Sequence, residues 1–255
     1  MNLPGILSTR ARVERGAFAL LPPEGLVENV IPEMPGCRVS ILAAPKFGAN
    51  FIEYLVTVPP RQGTCRPFSA GERQESFVYV LDGTCTFSCG GNTYEAKKSS
   101  YLYSPPGMGF EFSNPGEGET RLLIHKLLYT PLAGVPLPGV VFATADESQP
   151  QPCDGNPRML VQGLLPLNLS YDIEMNLLTF LPGGAHPFLE THLQQHAIYC
   201  TQGTCCYHLS DRWTILKKDD FIWVGPYVTH GCCGVGDQPF TYLFSKVVNR
   251  DPPAL

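Results

Sequence analysis

The chain has 255 residues, a net charge of −5 and 25 each of glycine and proline, with 44% hydrophobic residues. Its length allows two domains of ordinary size. Its composition predicts hydrophobic cores and a chain rich in turns. An acidic chain whose basic residues cluster only in pairs is a poor nucleic-acid binder. No apolar run approaches the 18 residues of a membrane span. The N-terminus lacks a basic stretch followed by an apolar core, so we expect a cytoplasmic protein.

Short apolar or alternating runs, bounded by Gly, Asp, Asn and Pro, recur along the chain and predict an all-β fold. The clearest runs are 51–58, 76–81, 121–127 and 240–246. Four prolines mark the stretch around 131–151, which is typical of an extended linker. We therefore predict an N-terminal domain over 1–130, a linker over 131–151 and a C-terminal domain over 152–255.

The two predicted domains repeat each other. Sliding the chain by 120 residues aligns Gly83-Thr84-Cys85 with Gly203-Thr204-Cys205, and no gap is needed from about residue 74 to residue 126. The period is too long for the repeating unit of a solenoid. It indicates instead that one barrel-sized domain was duplicated.

The second copy carries a cluster of potential metal ligands, Glu190, His192, His196 and His230. If the first three lie on a β-strand, their even spacing directs them to one face. Gly203 can turn a hairpin after them, and a Gly-Pro-Tyr sequence predicts a turn just before His230. Three imidazoles and one carboxylate suit a divalent transition metal that keeps one or two open positions.

Two other interpretations of the His192 and His196 pair remain open. The pair could be exposed, or it could occupy one face of a helix at i and i+4. The helical interpretation is weakened by Pro182, two glycines and Pro187 just upstream, and by the β-rich run 197–200 just downstream.

The first copy has lost these ligands. At the four matching positions it carries Ala70, Glu72, Ser76 and Phe110. We expect this first barrel to be free of metal and filled by side chains, and to serve the second barrel as a partner or a lid.

The ten cysteines show no paired Cys-x2-Cys spacing of the kind that structural zinc sites use. Two vicinal pairs, Cys205-Cys206 and Cys232-Cys233, lie on predicted strands, where neighbouring side chains point to opposite faces. At most one member of each pair can therefore face the interior. We expect reduced, mostly buried thiols that act as small hydrophobic residues.

Three further polar residues could enter the same cavity. Tyr207 lies on the strand that returns after Gly203, and Tyr242 and Lys246 share one face of the last strand. The alternative is that the tyrosines are ordinary sheet aromatics and that the lysine is an exposed strand end. Apolar residues stand at the matching tyrosine positions of the first copy, which favours a functional role. Lys126 matches Lys246, however, so that lysine could be structural in both copies.

The spacing Gly184-x5-Glu190-x-His192-x3-His196-x6-Gly203 resembles the first motif of cupin barrels. His230 takes the place of the ligand that their second motif supplies. This resemblance implies a double-stranded β-helix, or jelly roll, in each half. The chain is thus expected to be a bicupin, with two cupin barrels in tandem.

Three segments, 186–196, 220–228 and 242–250, resemble the (S)-ureidoglycine aminohydrolase family. The resemblance implies a manganese-dependent, homo-oligomeric bicupin of purine breakdown, which converts ureidoglycine derived from allantoate into ureidoglycolate and ammonia. The family's metal ligands and its substrate-handling residues carry over to Glu190, His192, His196, position 230, Tyr207, Tyr242 and Lys246. Glu190 is also the candidate proton shuttle. The family carries Gln at position 230, so Fe, Ni and Zn remain candidates beside Mn²⁺.

Two rival functions remain at the level of sequence. A site of three histidines and one carboxylate also suits redox metals, so another metal-dependent cupin enzyme, a dioxygenase or an oxalate-type decarboxylase, is possible. A non-catalytic bicupin that binds a ligand is the second. Retention of all four ligands in one copy, beside their loss in the other, favours an enzyme that acts on a small molecule.

Overall fold

The computed structural model describes residues 9–252, which form β-strands and three short 3-10 helices without any α-helix in that range. The strands of the first half are β1 Arg12–Glu14, β2 Phe18–Leu21, β3 Arg38–Ala43, β4 Ile52–Val58, β5 Gln74–Asp82, β6 Thr84–Cys89, β7 Asn92–Lys97, β8 Ser100–Ser104, β9 Glu111–Ser113 and β10 Thr120–Leu128. Those of the second half are β11 Val141–Thr144, β12 Gln151–Cys153, β13 Asn156–Gly163, β14 Ile173–Phe180, β15 His196–Gln202, β16 Thr204–Leu209, β17 Arg212–Lys217, β18 Phe221–Val224, β19 His230–Gly234 and β20 Phe240–Val247. The 3-10 helices are Pro23–Gly25, Pro45–Phe47 and Ala145–Glu147.

The strands build two antiparallel barrels, each from one large sheet facing a three-stranded sheet. In the first barrel the order β11-β8-β5-β10-β4-β3 faces β7-β6-β9, and in the second β1-β2-β18-β15-β20-β14-β13-β12 faces β17-β16-β19. The prediction of an all-β chain with two barrels in tandem is confirmed. The four clearest predicted strands correspond to β4, β5, β10 and β20, with ends that differ by at most two residues.

Strand pairing crosses the predicted domain boundaries in both directions. Strand β2, from the start of the chain, pairs with β18 of the second barrel, and β11, from the predicted linker, pairs with β8 of the first. The linker prediction missed β11 because a four-residue strand has no convincing pattern of its own. It forms because β8 offers an unpaired edge, and covering that edge removes a site of unwanted pairing.

The start of the described chain is anchored to the second barrel by an ion pair. The Arg10 guanidinium donates from Nη1 and Nη2 to the two carboxylate oxygens of Asp220, at 2.8 and 2.7 Å. Asp220 is fully buried, and the bidentate geometry gives its charge a strong partner. The N-terminal segment is therefore part of the second barrel.

Three apolar clusters hold the molecule together. One fills the first barrel, one fills the second, and the third lies between the two barrels. The cluster between the barrels joins the outer face of β5 and β8 to that of β14 and β15, with Phe77 and Tyr103 on one side and Met175 and Tyr199 on the other. Because this interface is a continuous apolar core, the two barrels form one rigid unit.

Aromatic rings fill the interior of the first barrel. Phe110 stands at the position that corresponds to His230 and contacts Phe68 and Phe87, with ring centroids 6.0 and 6.4 Å apart. The Lys126 ammonium lies 4.8 Å from the centroid of the Phe68 ring. A cation over an aromatic face gains electrostatic energy, which gives Lys126 a structural partner. That the first barrel binds no metal stays a prediction.

The cysteines follow the predicted alternation. Cys205 and Cys232 are buried, whereas Cys206 and Cys233, their sequence neighbours, are only half-buried on the other face of the same strands. Each strand thus directs one thiol into the second barrel. None of the helices in the described part of the chain is long and apolar enough to span a membrane. Residues 1–8, on which the prediction of no signal sequence rests in part, lie outside the described residues.

A buried acidic network links the two barrels. Glu75 of β5 accepts a hydrogen bond from the Tyr103 hydroxyl and faces Asp172, which accepts from the Thr130 backbone N–H at 2.7 Å. Burial, and then the neighbouring Asp172 carboxylate, raise the pKa of Glu75 to about 9. Glu75 is therefore protonated at neutral pH, and two carboxyl groups can share one proton across the interface.

Glu75→Gln is expected to raise Tm at pH 9 by ~2–8 °C, which corresponds to ~1–2 kcal/mol, and to change it little at pH 4.5. The folded pKa of about 9 exceeds the ordinary 4.5, so the folded chain keeps a proton that the unfolded chain releases between these values. Glu75 makes its full contribution to the free energy of unfolding below pH 4.5, and this contribution is lost as the pH rises through 9. Glutamine keeps the hydrogen bonds and does not titrate.

Calorimetric scans of wild type and variant across pH 4.5–9 measure the effect. Glu95→Gln, at an exposed carboxylate of β7, is the matched control and should leave the pH profile of Tm unchanged. A Glu75→Gln variant whose Tm falls with pH as steeply as that of wild type would show that Glu75 does not carry the proton.

Candidate metal centre

Glu190 and His192 lie on a loop that the sequence had suggested to be a strand. Strand β15 begins only at His196, and backbone bonds to the segment around His230 hold the loop: Glu190 N–H donates to His230 C=O at 2.8 Å, His230 N–H donates to Glu190 C=O at 3.0 Å, and Tyr227 N–H donates to His192 C=O at 2.7 Å. The strand interpretation was wrong because pairing across the chain, not side-chain alternation, positions these residues. Their predicted convergence nevertheless occurs.

Three imidazoles converge inside the second barrel. The potential ligand nitrogens of His192, His196 and His230 all lie within 4.8 Å of one another, and Nε2 of His192 is 3.2 Å from Nε2 of His196. The three rings stand nearly perpendicular to each other, with centroids 4.9–5.3 Å apart. His196 and His230 are buried, and His192 is partly exposed toward the cavity.

A backbone carbonyl orients each of these rings through its other nitrogen. Nδ1 of His192 donates to Gln194 C=O at 3.0 Å, Nδ1 of His196 to Ser245 C=O at 2.7 Å, and Nδ1 of His230 to Val228 C=O at 2.8 Å. Each Nδ1 therefore carries the proton, and each Nε2 keeps its lone pair. Metal-binding histidines show this arrangement of the outer hydrogen bond.

Burial keeps the rings of His196 and His230 neutral. It lowers the pKa of His196 to about 3, with the neighbouring His230 acting in the same direction, and it also lowers the pKa of His230. Neutral Nε2 atoms that face one another at hydrogen-bond distance repel unless a cation lies between them. The donor set thus fits a divalent transition metal of the kind that imidazole prefers.

Glu190 lies at the rim of this cluster. Its Oε2 is 3.6 Å from Nε2 of His230, and 37% of its side chain is exposed. A carboxylate placed there can be a fourth ligand, or it can exchange protons with a molecule in the cavity. Its assignment as a ligand and a catalytic group stays a prediction.

The cluster opens into a cavity of about 360 Å³ in the second barrel. Tyr207, Tyr242 and Lys246 line it as the sequence suggested, with Phe244 beside His196. Tyr207 is fully buried, and its hydroxyl has no hydrogen-bond partner among the described residues. Burial raises the pKa of both tyrosines well above the usual value, so each phenol stays a hydrogen-bond donor. An unpaired buried hydroxyl indicates a missing ligand or water.

The first barrel supports the loop that carries the ligands. Gln195, adjacent to His196, accepts hydrogen bonds through Oε1 from the Asn50 backbone N–H at 3.1 Å and from Trp223 Nε1 at 2.9 Å. Its Nε2 donates to Gly48 C=O at 3.3 Å. Residues 48–50 belong to the first barrel, so this barrel helps to position the loop of the second that carries His192 and His196.

Sequence reasoning gave no role to His186, which also lines the cavity. The available signal was a fourth histidine four residues before Glu190. That signal was too weak, because spacing in a loop does not determine where a side chain points. Burial lowers the pKa of His186, so this ring is also neutral at pH 7.

A larger cavity of about 450 Å³ lies between the two barrels, and three of its polar side chains, Arg121, Tyr199 and Asp219, pair with one another. Arg121 there donates to the Tyr199 hydroxyl at 2.8 Å and to Asp219 at 3.2 Å, and Tyr199 donates to Asp219 at 3.0 Å. These groups satisfy one another, so the smaller cavity with its converging histidines is the better candidate site.

Comparison with known proteins agrees with this geometry. The model of the cupin domain matches residues 54–126 and 176–246. The (S)-ureidoglycine aminohydrolase of Escherichia coli (strain K12) is 38% identical over 96% of this chain and 94% of its own length. The probable (S)-ureidoglycine aminohydrolase of Oryza sativa subsp. japonica is 31% identical over 98% of this chain and 78% of its own length. The crystal structure of protein Ylba from E. coli superposes with a TM-score of 0.88 at 37% identity, covering 97% of this chain and 98% of that one.

Proposed function

Because the chain belongs to the (S)-ureidoglycine aminohydrolase family of two-barrel cupins, we propose that it hydrolyses (S)-ureidoglycine to (S)-ureidoglycolate and ammonia in purine catabolism. Water adds a hydroxyl to the tetrahedral carbon, and the amine on that carbon leaves as ammonia. The observation that carries the proposal is the cluster of three oriented imidazoles in a cavity that Tyr207, Tyr242 and Lys246 also line.

His192, His196 and His230, together with Glu190, would hold a divalent cation, for which we propose Mn²⁺. When bound, this cation supplies positive charge that polarises and orients the oxygen ligands of the substrate. Imidazole is a stronger ligand for most divalent metals than the carboxamide that the family carries at position 230. We therefore expect His230 to preserve metal binding.

The protein's own side chains would orient the substrate. The Lys246 ammonium can neutralise the substrate carboxylate as a compact charge. The Tyr207 and Tyr242 hydroxyls can hydrogen-bond to the ureido group or to the attacking water, which would give the unpaired Tyr207 hydroxyl its partner. Fixing the reacting carbon and the water in one geometry removes much of the entropic cost of their encounter.

Glu190 would carry the proton that the reaction must move. The amine leaves readily only when it is protonated, and the attacking water must lose a proton. A carboxylate at the rim of the site can accept the proton from water and pass it to the amine, so that the side chain returns to its starting state. No external acid, base or oxidant is required.

Ammonia release from freshly generated ureidoglycine, measured with and without manganese, tests the proposal. We expect manganese-dependent release by the wild type. The variant His230→Gln should remain active at saturating manganese but should bind the metal about 10–100-fold more weakly, since the carboxamide is a poorer ligand.

Other outcomes would contradict the proposal. If neither the wild type nor His230→Gln releases ammonia but oxygen is consumed, the site would be assigned to redox chemistry of the dioxygenase type. Activity that appears only in His230→Gln would mean that the chain keeps the family's cavity but not its reaction. Protein that neither binds metal nor turns over substrate would favour a binding protein.

We also propose a homo-oligomer located in the cytoplasm. The family resemblance implies the oligomer, and Trp213 and Ile215 on the outer face of β17 are more than half exposed. Large apolar side chains grouped on a surface strand are typical of a buried contact. Sedimentation of the purified protein would measure the assembly, and a monomer would contradict it.

A further inference from the structure

His186 is fixed to strand β19 by two hydrogen bonds. Its backbone N–H donates to Cys232 C=O at 2.9 Å, and its ring Nδ1 lies 2.9 Å from the Cys232 backbone nitrogen. The ring also packs against Phe180, with centroids 5.0 Å apart. Backbone and side chain are thus held together, and the direction of the ring is determined.

The partner of Nδ1 sets the tautomer. A backbone N–H can only donate, so Nδ1 of His186 must be the unprotonated acceptor, and the single proton of the neutral ring lies on Nε2. This is the reverse of His192, His196 and His230, whose Nδ1 atoms donate to carbonyls. His186 is therefore arranged as a hydrogen-bond donor and not as a metal ligand.

That donor has no partner within the protein. His186 lines the same cavity as the metal cluster, and Nε2 forms no hydrogen bond with any residue in the range 9–252. The ring is half-buried, so this donor is accessible to a ligand or water that enters the cavity. The Tyr207 hydroxyl, which lines the same cavity, is unpaired as well. The cavity therefore contains two hydrogen-bond donors without an acceptor among the described residues.

The position of His186 indicates which acceptor it meets. Lys246 lies opposite Glu174 on β14, whereas His186 packs against Phe180, six residues further along the same strand. Both side chains line the cavity, and they approach it from different positions along β14. A substrate whose carboxylate faces the lysine cation directs its other end, a neutral ureido group, toward the neutral imidazole.

We propose that Nε2 of His186 donates a hydrogen bond to the ureido carbonyl oxygen of the substrate and thereby selects ureido compounds over other small amino acids. This assignment rests on the proposed function and adds a residue to it. It makes His186 a determinant of specificity. A site built to hydrogen-bond one polar group discriminates against molecules that lack it, because the site's donor is then left unpaired.

Two variants separate recognition from structure. His186→Asn places an acceptor where Nδ1 stands and so keeps the bond to Cys232, but it removes the donor at Nε2. His186→Gln can place an amide N–H near the position of Nε2, but it no longer places an acceptor at the position of Nδ1 for the Cys232 N–H. A role in recognition predicts that the glutamine variant binds better than the asparagine variant. A purely structural role predicts the opposite order.

The experiment measures binding of two stable probes to the full-length, manganese-loaded protein by calorimetry. N-carbamoylglycine carries the ureido group and the carboxylate, and glycolate carries the carboxylate without the ureido group. We expect His186→Asn to lower the affinity for N-carbamoylglycine roughly three- to tenfold, which is the effect of one lost hydrogen bond. The affinity for glycolate and the metal content should be unchanged. Turnover of ureidoglycine should show a raised KM and a kcat within about twofold.

Three results would overturn the assignment. One is equal affinity of the wild type and His186→Asn for N-carbamoylglycine. Another is an equal loss of affinity for both probes, which indicates structural damage. The third is a wild type that does not bind N-carbamoylglycine. If the wild type binds this probe with the expected dependence on His186 but releases no ammonia from ureidoglycine, the proposed reaction fails while the recognition role stands.

Discussion

His196→Ala is expected to remove the metal from the purified protein and to lower kcat/KM for ammonia release by at least ~10³-fold, the scale of several kcal/mol that a bound metal contributes. His196 is the first residue of β15 and is buried, and its Nδ1 donates to Ser245 C=O at 2.7 Å. Its Nε2 is the closest neighbour of Nε2 of His192, at 3.2 Å. Removal of this ring leaves two imidazoles and the partly exposed Glu190 carboxylate, and the loss of one of four ligands should weaken binding of a labile divalent cation enough for it to be lost on purification.

Elemental analysis and ammonia release measure this prediction together. His208→Ala is the matched control, because His208 lies on β16 of the same barrel but packs against Trp213, with ring centroids 5.0 Å apart, and does not line the cavity. It should keep both metal and activity. Circular dichroism of the two variants would show that each remains folded. A His196→Ala protein that keeps stoichiometric metal and full turnover would place the metal elsewhere.

Glu190→Gln is expected to lower kcat by ~10²–10⁴-fold, the usual contribution of one positioned acid–base group. Glutamine has nearly the same shape, and the two backbone hydrogen bonds between Glu190 and His230 do not depend on the side chain, so the loop should keep its conformation. The amide cannot accept and release a proton at neutral pH. The variant should also bind metal more weakly, since an amide is a poorer ligand than a carboxylate.

Saturating manganese separates the two effects of this substitution. Metal occupancy should be restored while kcat stays low. Glu72→Gln is the matched control, since Glu72 stands in the first barrel at the position that corresponds to His192, and this change should leave turnover unaltered. Equal metal occupancy together with equal activity in Glu190→Gln and wild type would remove Glu190 from the mechanism.

The two barrels of the duplicated fold have different roles. The first barrel fills its interior with rings such as Phe68 and Phe110, and contributes the backbone of Gly48 and Asn50 to the loop beside His196. A functional loop held by hydrogen bonds to a rigid neighbour is better positioned than one exposed on its own. The first barrel thus supports the candidate site of the second.

Several features of this protein followed from its amino-acid sequence. The alternating runs placed β4, β5, β10 and β20 within two residues, because side-chain alternation is a local property of a strand. The spacing of Glu190, His192 and His196, together with His230 on a later segment, predicted that these side chains converge, and the three imidazoles do so. The gapless repeat of 120 residues gave the two barrels.

Only the tertiary structure decided the remaining features, because they depend on partners that are distant in the sequence. The loop carrying Glu190 takes its position from His230, and β11 forms only against β8. The tautomer of His186 depends on the Cys232 N–H, 46 residues away. Glu75 and Asp172 look like ordinary acidic residues until folding buries them together between the barrels and raises the pKa of Glu75. Hydrogen-bond partners and desolvation arise from packing, which no local pattern encodes.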